Sequence, residues 1–142
     1  MNALEKSFSD YLARTWSPDV IKPFLFVYIE LLLTFEPQLP REAAAAVKER
    51  QKQLLGQPFE VRTIESLRAA TRSDLARYAR KGDRASVEAN INKMLFCALL
   101  DTEESDYFYL TEPIFEFALN MGVSQARLQK ILENQFENFS AY

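Results

Sequence analysis

The side chains that most often carry out catalysis are scarce in this sequence. It contains no histidine, so it lacks the most common general base and the most common metal ligand. Its one cysteine, Cys97, stands in the apolar stretch MLFCALL, which is typical of a buried structural thiol. No two of its three glycines are close enough for a phosphate-binding loop. We therefore expect a non-catalytic protein without cofactor or metal; a carboxylate-bound Mg²⁺ enzyme is the one catalytic class left open.

An acidic and aromatic stretch is the first candidate binding site. Residues 101–117, DTEESDYFYLTEPIFEF, hold six carboxylates and five aromatic rings. Aromatic side chains anchor protein interfaces and charges steer the encounter, so this composition favours capture of a basic protein partner. The competing interpretation is an acidic loop followed by ordinary core aromatics. The partner-binding residues predicted here are Asp101, Glu103, Glu104, Asp106, Tyr107 and Tyr109.

The stretch FALNMGVSQARLQKILENQ is the second candidate. A small residue, Ala118, precedes Gly122 by four positions, and apolar Leu128 and Ile131 follow it. This pattern resembles the helix-turn-helix unit of bacterial repressors, and its GVS turn is of a kind common in the lactose-repressor family. The resemblance implies that residues 113–135 read DNA in the major groove. The outward residues of the second helix would then make the contacts, with Ser124, Gln125, Gln129 and Lys130 as candidates.

Charge argues against DNA reading and favours a structural corner at Gly122. Residues 85–142 carry 3 basic and 9 acidic groups, a net charge of −6, whereas DNA-binding domains show a basic footprint. Residues 41–84 instead carry 11 basic and 6 acidic groups, a net charge of +5. This basic part could bind RNA, DNA or an acidic protein, with Arg68 and Arg72 as the alternative nucleic-acid contacts. The interpretation we favour is a solvated helix face that is partly paired with the acidic C-terminal half.

The cysteine count and the length of the longest apolar run indicate where the protein resides. A single cysteine allows no internal disulfide, which suggests a reducing compartment, and we expect a cytoplasmic protein. The longest apolar run, Phe24 to Phe35, is too short to span a bilayer, so no membrane partner is expected. The apolar end of the MLFCALL segment leaves a homodimer open.

Helical spacing of apolar residues predicts an all-α fold over the whole chain, 1–142, as a single domain. We expect an irregular helical bundle of about six to seven helices. One helix, Phe24 to Glu36, is apolar nearly all round, with only a thin polar stripe at Glu30 and Thr34, and should lie at the centre of the bundle.

Capping residues predict where the other helices begin and end. We expect Thr63 to cap a helix that ends at Gly82, with a break near Ser73 and Asp74. Asp83 is the predicted cap of the next helix, and the last helix is predicted to run to about Phe139. In the helix from Pro40 to Leu55, the predicted inward residues are Ala44, Val47, Leu54 and Gln51.

Together these observations predict a small cytoplasmic protein that binds another protein, of the inhibitor, adaptor, immunity or antitoxin type found in bacteria. The partner is expected to be basic. The alternative is a DNA-binding transcription regulator that uses the corner at Gly122.

Overall fold

The chain folds as an all-α bundle, as the sequence predicts. The structure is a computed structural model that describes residues 2–100 and 110–140. The described residues form seven α-helices and no strand; these are α1 (Ala3–Thr15), α2 (Ile21–Thr34), α3 (Arg41–Leu54), α4 (Val61–Arg80), α5 (Val87–Leu99), α6 (Glu112–Met121) and α7 (Gln125–Gln135). In this part of the chain, each helix is too short or too polar to cross a membrane.

Helix α2 is the centre of the bundle, and the prediction for it is confirmed. It packs against α3, α5 and α7, and eight of its fourteen residues are buried. Its polar stripe also lies where expected, because Thr34 Oγ1 donates to Glu30 O at 3.0 Å and both residues are only half-buried. Pro23 stands in the first turn of α2, where its missing N–H costs no intrahelical hydrogen bond.

An aromatic cluster around Phe8 joins the two ends of the chain. The Phe8 ring on α1 is fully buried, and it contacts Phe24 of α2 and Phe136 at 5.8 and 4.9 Å between ring centroids, both edge to face. Edge-to-face pairs of this kind add stability beyond the area they bury. The hydroxyl of Tyr11 donates to Glu137 O at 2.5 Å and ties the chain beyond α7 to α1.

Two predicted helix caps are wrong. Glu60, not Thr63, caps α4, because the Glu60 side chain accepts from Arg62 N at 3.4 Å. Ser86, not Asp83, caps α5, with its hydroxyl accepting from Ala89 N at 3.1 Å. The Asp83 carboxylate instead accepts three hydrogen bonds, one from Ala85 N and two from Ser86, and so stabilises the turn before the helix.

Two predicted helix boundaries are also wrong. Helix α4 runs through Ser73 and Asp74 without a break, since Ser73 points to solvent and Asp74 pairs with Arg77 one turn later at 3.3 Å. Helix α7 ends at Gln135, because Phe136 takes extended backbone angles. Phe139 is nevertheless buried, as its apolar spacing suggests.

Replacement of Phe8 by alanine should test the aromatic cluster. We expect Phe8→Ala to lower the free energy of unfolding by about 3–5 kcal/mol, because it empties a site enclosed by several rings. Urea unfolding followed by circular dichroism measures the change. Leu119, which is 81% exposed, supplies the control, and Leu119→Ala should change stability by less than about 0.5 kcal/mol. Equal losses in the two variants would contradict the assignment of Phe8 to the core.

Candidate functional site

Arg50 holds the carboxyl end of α5, just before the acidic stretch. This side chain is only 4% exposed, yet it is hydrogen-bonded throughout: Nε donates to Ala98 O at 3.1 Å and Nη2 donates to Leu100 O at 2.6 Å. Its Nη1 donates to Gln53 Oε1 at 2.5 Å. A cation is favourable at a helix carboxyl end because the carbonyls there carry partial negative charge.

Arg50 was not among the predicted site residues, although its spacing along α3 indicates an inward position. The buried residues of α3 are Ala43, Ala46, Val47, Arg50 and Leu54, which recur at helical spacing. The prediction placed Ala44 and Gln51 on this face, but both are only partly buried. A cation at an inward position indicates an acceptor in the core, and here the acceptors are backbone carbonyls.

Arg68 completes the same arrangement from α4. Its Nε donates to Leu99 O at 2.5 Å, so two arginines together bond three consecutive carbonyls at the end of α5. This contact gives Arg68 a structural role in the bundle. The prediction that Arg68 and Arg72 contact nucleic acid remains a prediction, and Arg72 lies exposed on the same helix.

Tyr28 fixes the chain on the other side of the acidic stretch. The Tyr28 hydroxyl, buried on α2, donates to Leu110 O at 2.6 Å. Burial raises the pKa of this hydroxyl well above its ordinary value, with a smaller contribution from nearby Cys97, so the donating proton is held more firmly than in an exposed tyrosine.

The predicted partner-binding residues lie between these two fixed points. Asp101, Glu103, Glu104, Asp106, Tyr107 and Tyr109 fall within residues 101–109, outside the described residues. The described chain shows what precedes and follows them: Leu100, whose carbonyl accepts from Arg50, and Leu110, whose carbonyl accepts from Tyr28.

The carboxyl-terminal part of the acidic and aromatic stretch belongs to the core. Phe115 and Phe117 are buried, with the Phe117 ring 5.7 Å from that of Phe35. Glu116 forms an ion pair with Lys93 of α5 at 2.8 Å. The interpretation as core aromatics is therefore correct for these two rings, while Glu112 at the start of α6 is exposed.

The corner at Gly122 has the local geometry that the sequence predicts. Gly122 has a φ of 75°, in the left-handed region that favours glycine, and Val123 N donates to Ala118 O at 2.9 Å. Ser124 then caps α7 by accepting from Arg127 N at 3.2 Å. The two helices have different main neighbours, since α6 packs on α5 and α7 packs on α2.

The outward side of α7 carries the residues predicted to contact DNA. Ser124, Gln125 and Lys130 are exposed. Gln129 is half-buried, and its amide donates to Glu133 Oε1 at 2.8 Å, so a carboxylate stands beside it on this side of the helix. A carboxylate in this place would repel DNA phosphates.

Cys97 packs against the core with its thiol in the protonated form. Burial raises its pKa from 9.0 to about 12, a shift that Lys93 partly opposes and Glu116 reinforces. The thiol is therefore protonated at neutral pH, whereas the thiolate is the nucleophilic form. This agrees with the structural role that the sequence predicts for it.

Comparison with known proteins identifies no relative. No family model, no curated protein and no solved structure matches the chain. Within residues 2–100 and 110–140, no three aspartate, glutamate or cysteine side chains are grouped as a metal ion would require.

Replacement of Arg50 should show how much the end of α5 depends on it. We expect Arg50→Met to lower the free energy of unfolding by about 2–4 kcal/mol, because it leaves buried carbonyls without donors. Urea unfolding measures the loss. Arg80→Met is the matched control at an exposed position and should cost less than about 0.5 kcal/mol. A loss of similar size in both variants would show that Arg50 has no special role.

The buried thiol predicts a loss of stability at high pH. The folded chain keeps the Cys97 proton up to about pH 12, whereas the unfolded chain releases it near 9.0, so rising pH favours unfolding between these values. Between pH 8 and pH 10 the thiol should cost about 1 kcal/mol of stability. Urea midpoints of the wild type and of Cys97→Ala, which lacks this term, measure the difference. Parallel pH profiles would contradict the assignment.

Proposed function

We propose that the protein binds a basic protein partner through residues 101–109 and that it performs no catalysis. The contacts are assigned to Asp101, Glu103, Glu104, Asp106, Tyr107 and Tyr109. The four carboxylates would steer a positively charged partner toward the site, and the two tyrosines would anchor it.

The observation that supports this proposal most is that the chain is anchored on both sides of the stretch. Leu100 O accepts from Arg50 and Leu110 O accepts from Tyr28, each at 2.6 Å and each from a donor in the bundle core. Fixing both ends of a binding segment reduces the conformational entropy that is lost on association. The hydrogen bonds at Leu100 and Leu110 therefore support a binding role for the four carboxylates between them.

The chemistry of the chain agrees with binding rather than catalysis. Histidine is absent from the sequence, and the Cys97 thiol has a pKa of about 12, so neither supplies a nucleophile or base at neutral pH. We place the protein in the cytoplasm, because a single cysteine, which allows no internal disulfide, suits a reducing compartment. Bacterial inhibitors, adaptors, immunity proteins and antitoxins are the types that this combination suits, and self-association as a homodimer is compatible with it.

DNA binding by α7 is the second candidate function. Ser124, Gln125 and Lys130 are exposed, and they follow Gly122, which has a left-handed backbone conformation. Both observations favour DNA binding. Glu133 beside Gln129, and Glu112 and Glu116 on α6, oppose it. We rank it below protein binding for this reason.

Neutralising the acidic stretch should weaken partner binding. The variant replaces Asp101, Glu103, Glu104 and Asp106 by their amides, which keeps the shape of each side chain and removes its charge. A partner captured by the wild-type protein from cell lysate and then purified should bind this variant at least about tenfold more weakly, with a smaller salt dependence. Isothermal titration at two salt concentrations measures both effects.

A second variant with the same change in net charge serves as the control. It replaces four exposed carboxylates outside residues 101–117 by amides, at Asp10, Glu65, Glu88 and Glu137. Its affinity should stay within about twofold of wild type. Equal weakening in the two variants would show that affinity depends only on the net charge of the protein, and would contradict the proposed site. Salt-sensitive binding of random duplex DNA that Lys130→Ala removes would support the α7 alternative instead.

A further inference from the structure

A cavity of about 410 Å³ lies between α1, the start of α2 and the chain at the end of α7. Sites for small molecules typically have volumes of roughly 300–1,000 Å³, so this cavity is large enough for a small ligand. Its lining comes from three separate parts of the chain, and it is distinct from the anchors at the end of α5.

The walls of this cavity are held in place by contacts in the core. The Tyr11 hydroxyl, on α1, donates to Glu137 O at 2.5 Å, and Phe139 N donates to Phe136 O at 3.1 Å. The buried Phe136 ring lies 5.0 Å from the ring of Phe24, measured between centroids. The segment after α7 is therefore positioned although it is not helical. A site whose walls are positioned before the ligand arrives loses less conformational entropy on binding.

Two carboxylates line the cavity, and none of its described lining residues is a cation. Asp19 precedes α2 and Glu137 follows α7, and neither side chain forms an ion pair or hydrogen bond with a described residue. The cations closest in sequence to Asp19 are Arg14 and Lys22, which are exposed and do not line the cavity. The lining itself therefore favours a ligand with positive charge.

The rest of the lining is partly apolar. Val20, Pro23 and Phe136 form an apolar wall, and the side chains of Thr15 and Asn138 add neutral oxygen acceptors. A matching ligand would carry cationic hydrogen-bond donors at its ends and an apolar body between them.

From these charges and walls we propose that the cavity binds an alkyl diammonium ion, which is the protonated form of a short diamine. One ammonium group would donate to the Asp19 carboxylate and the other to the Glu137 carboxylate, as charge-assisted hydrogen bonds. The alkyl chain would pack on Val20 and Pro23 and so remove apolar surface from water.

Other small ligands match the cavity less well. A calcium ion takes six to eight oxygen ligands, and in the described part of the chain no three carboxylates are grouped around one point. A metal ion would also leave the apolar wall uncovered. A monoamine would leave one carboxylate without a partner, and an anion would be repelled by both. This inference goes beyond the proposed function and does not rest on it, because it concerns a different ligand and different residues.

Three small molecules with the same four-carbon chain test the proposal. Diaminobutane carries an amine at each end, butylamine carries one amine, and butanediol carries a hydroxyl at each end. Each would be titrated into the labelled 142-residue chain while backbone amide shifts are followed. Diaminobutane should bind at least about fivefold more tightly than butylamine, with the largest shifts in residues 135–138 and 15–20, and butanediol should not bind. Equal affinities for the two amines, largest shifts elsewhere, or no saturable binding of diaminobutane would overturn the proposal.

Single amide substitutions provide matched variants. Asp19→Asn and Glu137→Gln should each weaken binding of diaminobutane by about fivefold or more, because each removes the charge that one ammonium group meets. Asp10, which is exposed on α1 and does not line the cavity, supplies the control, and Asp10→Asn should change the affinity by no more than about twofold. Equal effects of all three substitutions would show attraction by net charge alone and would overturn the proposal.

Discussion

Burial of the apolar sides of helix α2 is the constraint on which the rest of the bundle depends. Because its apolar residues lie on nearly every side, α2 is stable in water only when other helices cover it all round. Helices α3, α5 and α7 pack on it directly. The Phe8 ring of α1 contacts the Phe24 ring of α2, and the Phe117 ring of α6 contacts Phe35, the residue that follows α2. Each fully buried large side chain contributes about 1.5–3 kcal/mol, so the eight buried residues of α2 are a large part of the core.

The same core determines how the chain enters and leaves the acidic stretch. Tyr28 belongs to α2, and Arg50 lies on the inner face of α3, which packs against α2. Tyr28 donates a hydrogen bond to Leu110 O, and Arg50 donates one to Leu100 O. These bonds tie the residues on either side of 101–109 to the core. A buried arginine and a buried tyrosine are costly unless fully hydrogen-bonded, and here the backbone carbonyls satisfy them. Stability and the proposed function therefore depend on the same contacts.

The fold could be predicted from the sequence wherever a pattern is local and strong. The apolar run of α2 predicts a central helix, and the glycine at position 122 predicts a turn with a positive φ. Both predictions are confirmed. Prediction failed where several nearby residues could serve as the cap and where the partners of a side chain lie far away in the sequence. Thr63 and Asp83 are good caps in isolation, but the chain begins its helices at neighbouring positions. Arg50 was missed because its partners, the carbonyls at the end of α5, lie 48 and 50 residues further along the chain. The predicted binding residues themselves lie outside the described residues, so they remain a prediction.

The most direct test of the central claim is to map the partner's contact surface on the chain by NMR. Backbone amide shifts of the labelled 142-residue protein would be compared with and without the purified partner. The account predicts that the largest changes fall within residues 101–109, with smaller changes at Leu100 and Leu110 where the segment is anchored. Changes concentrated on Gln125 to Lys130, with none in residues 101–109, would contradict it.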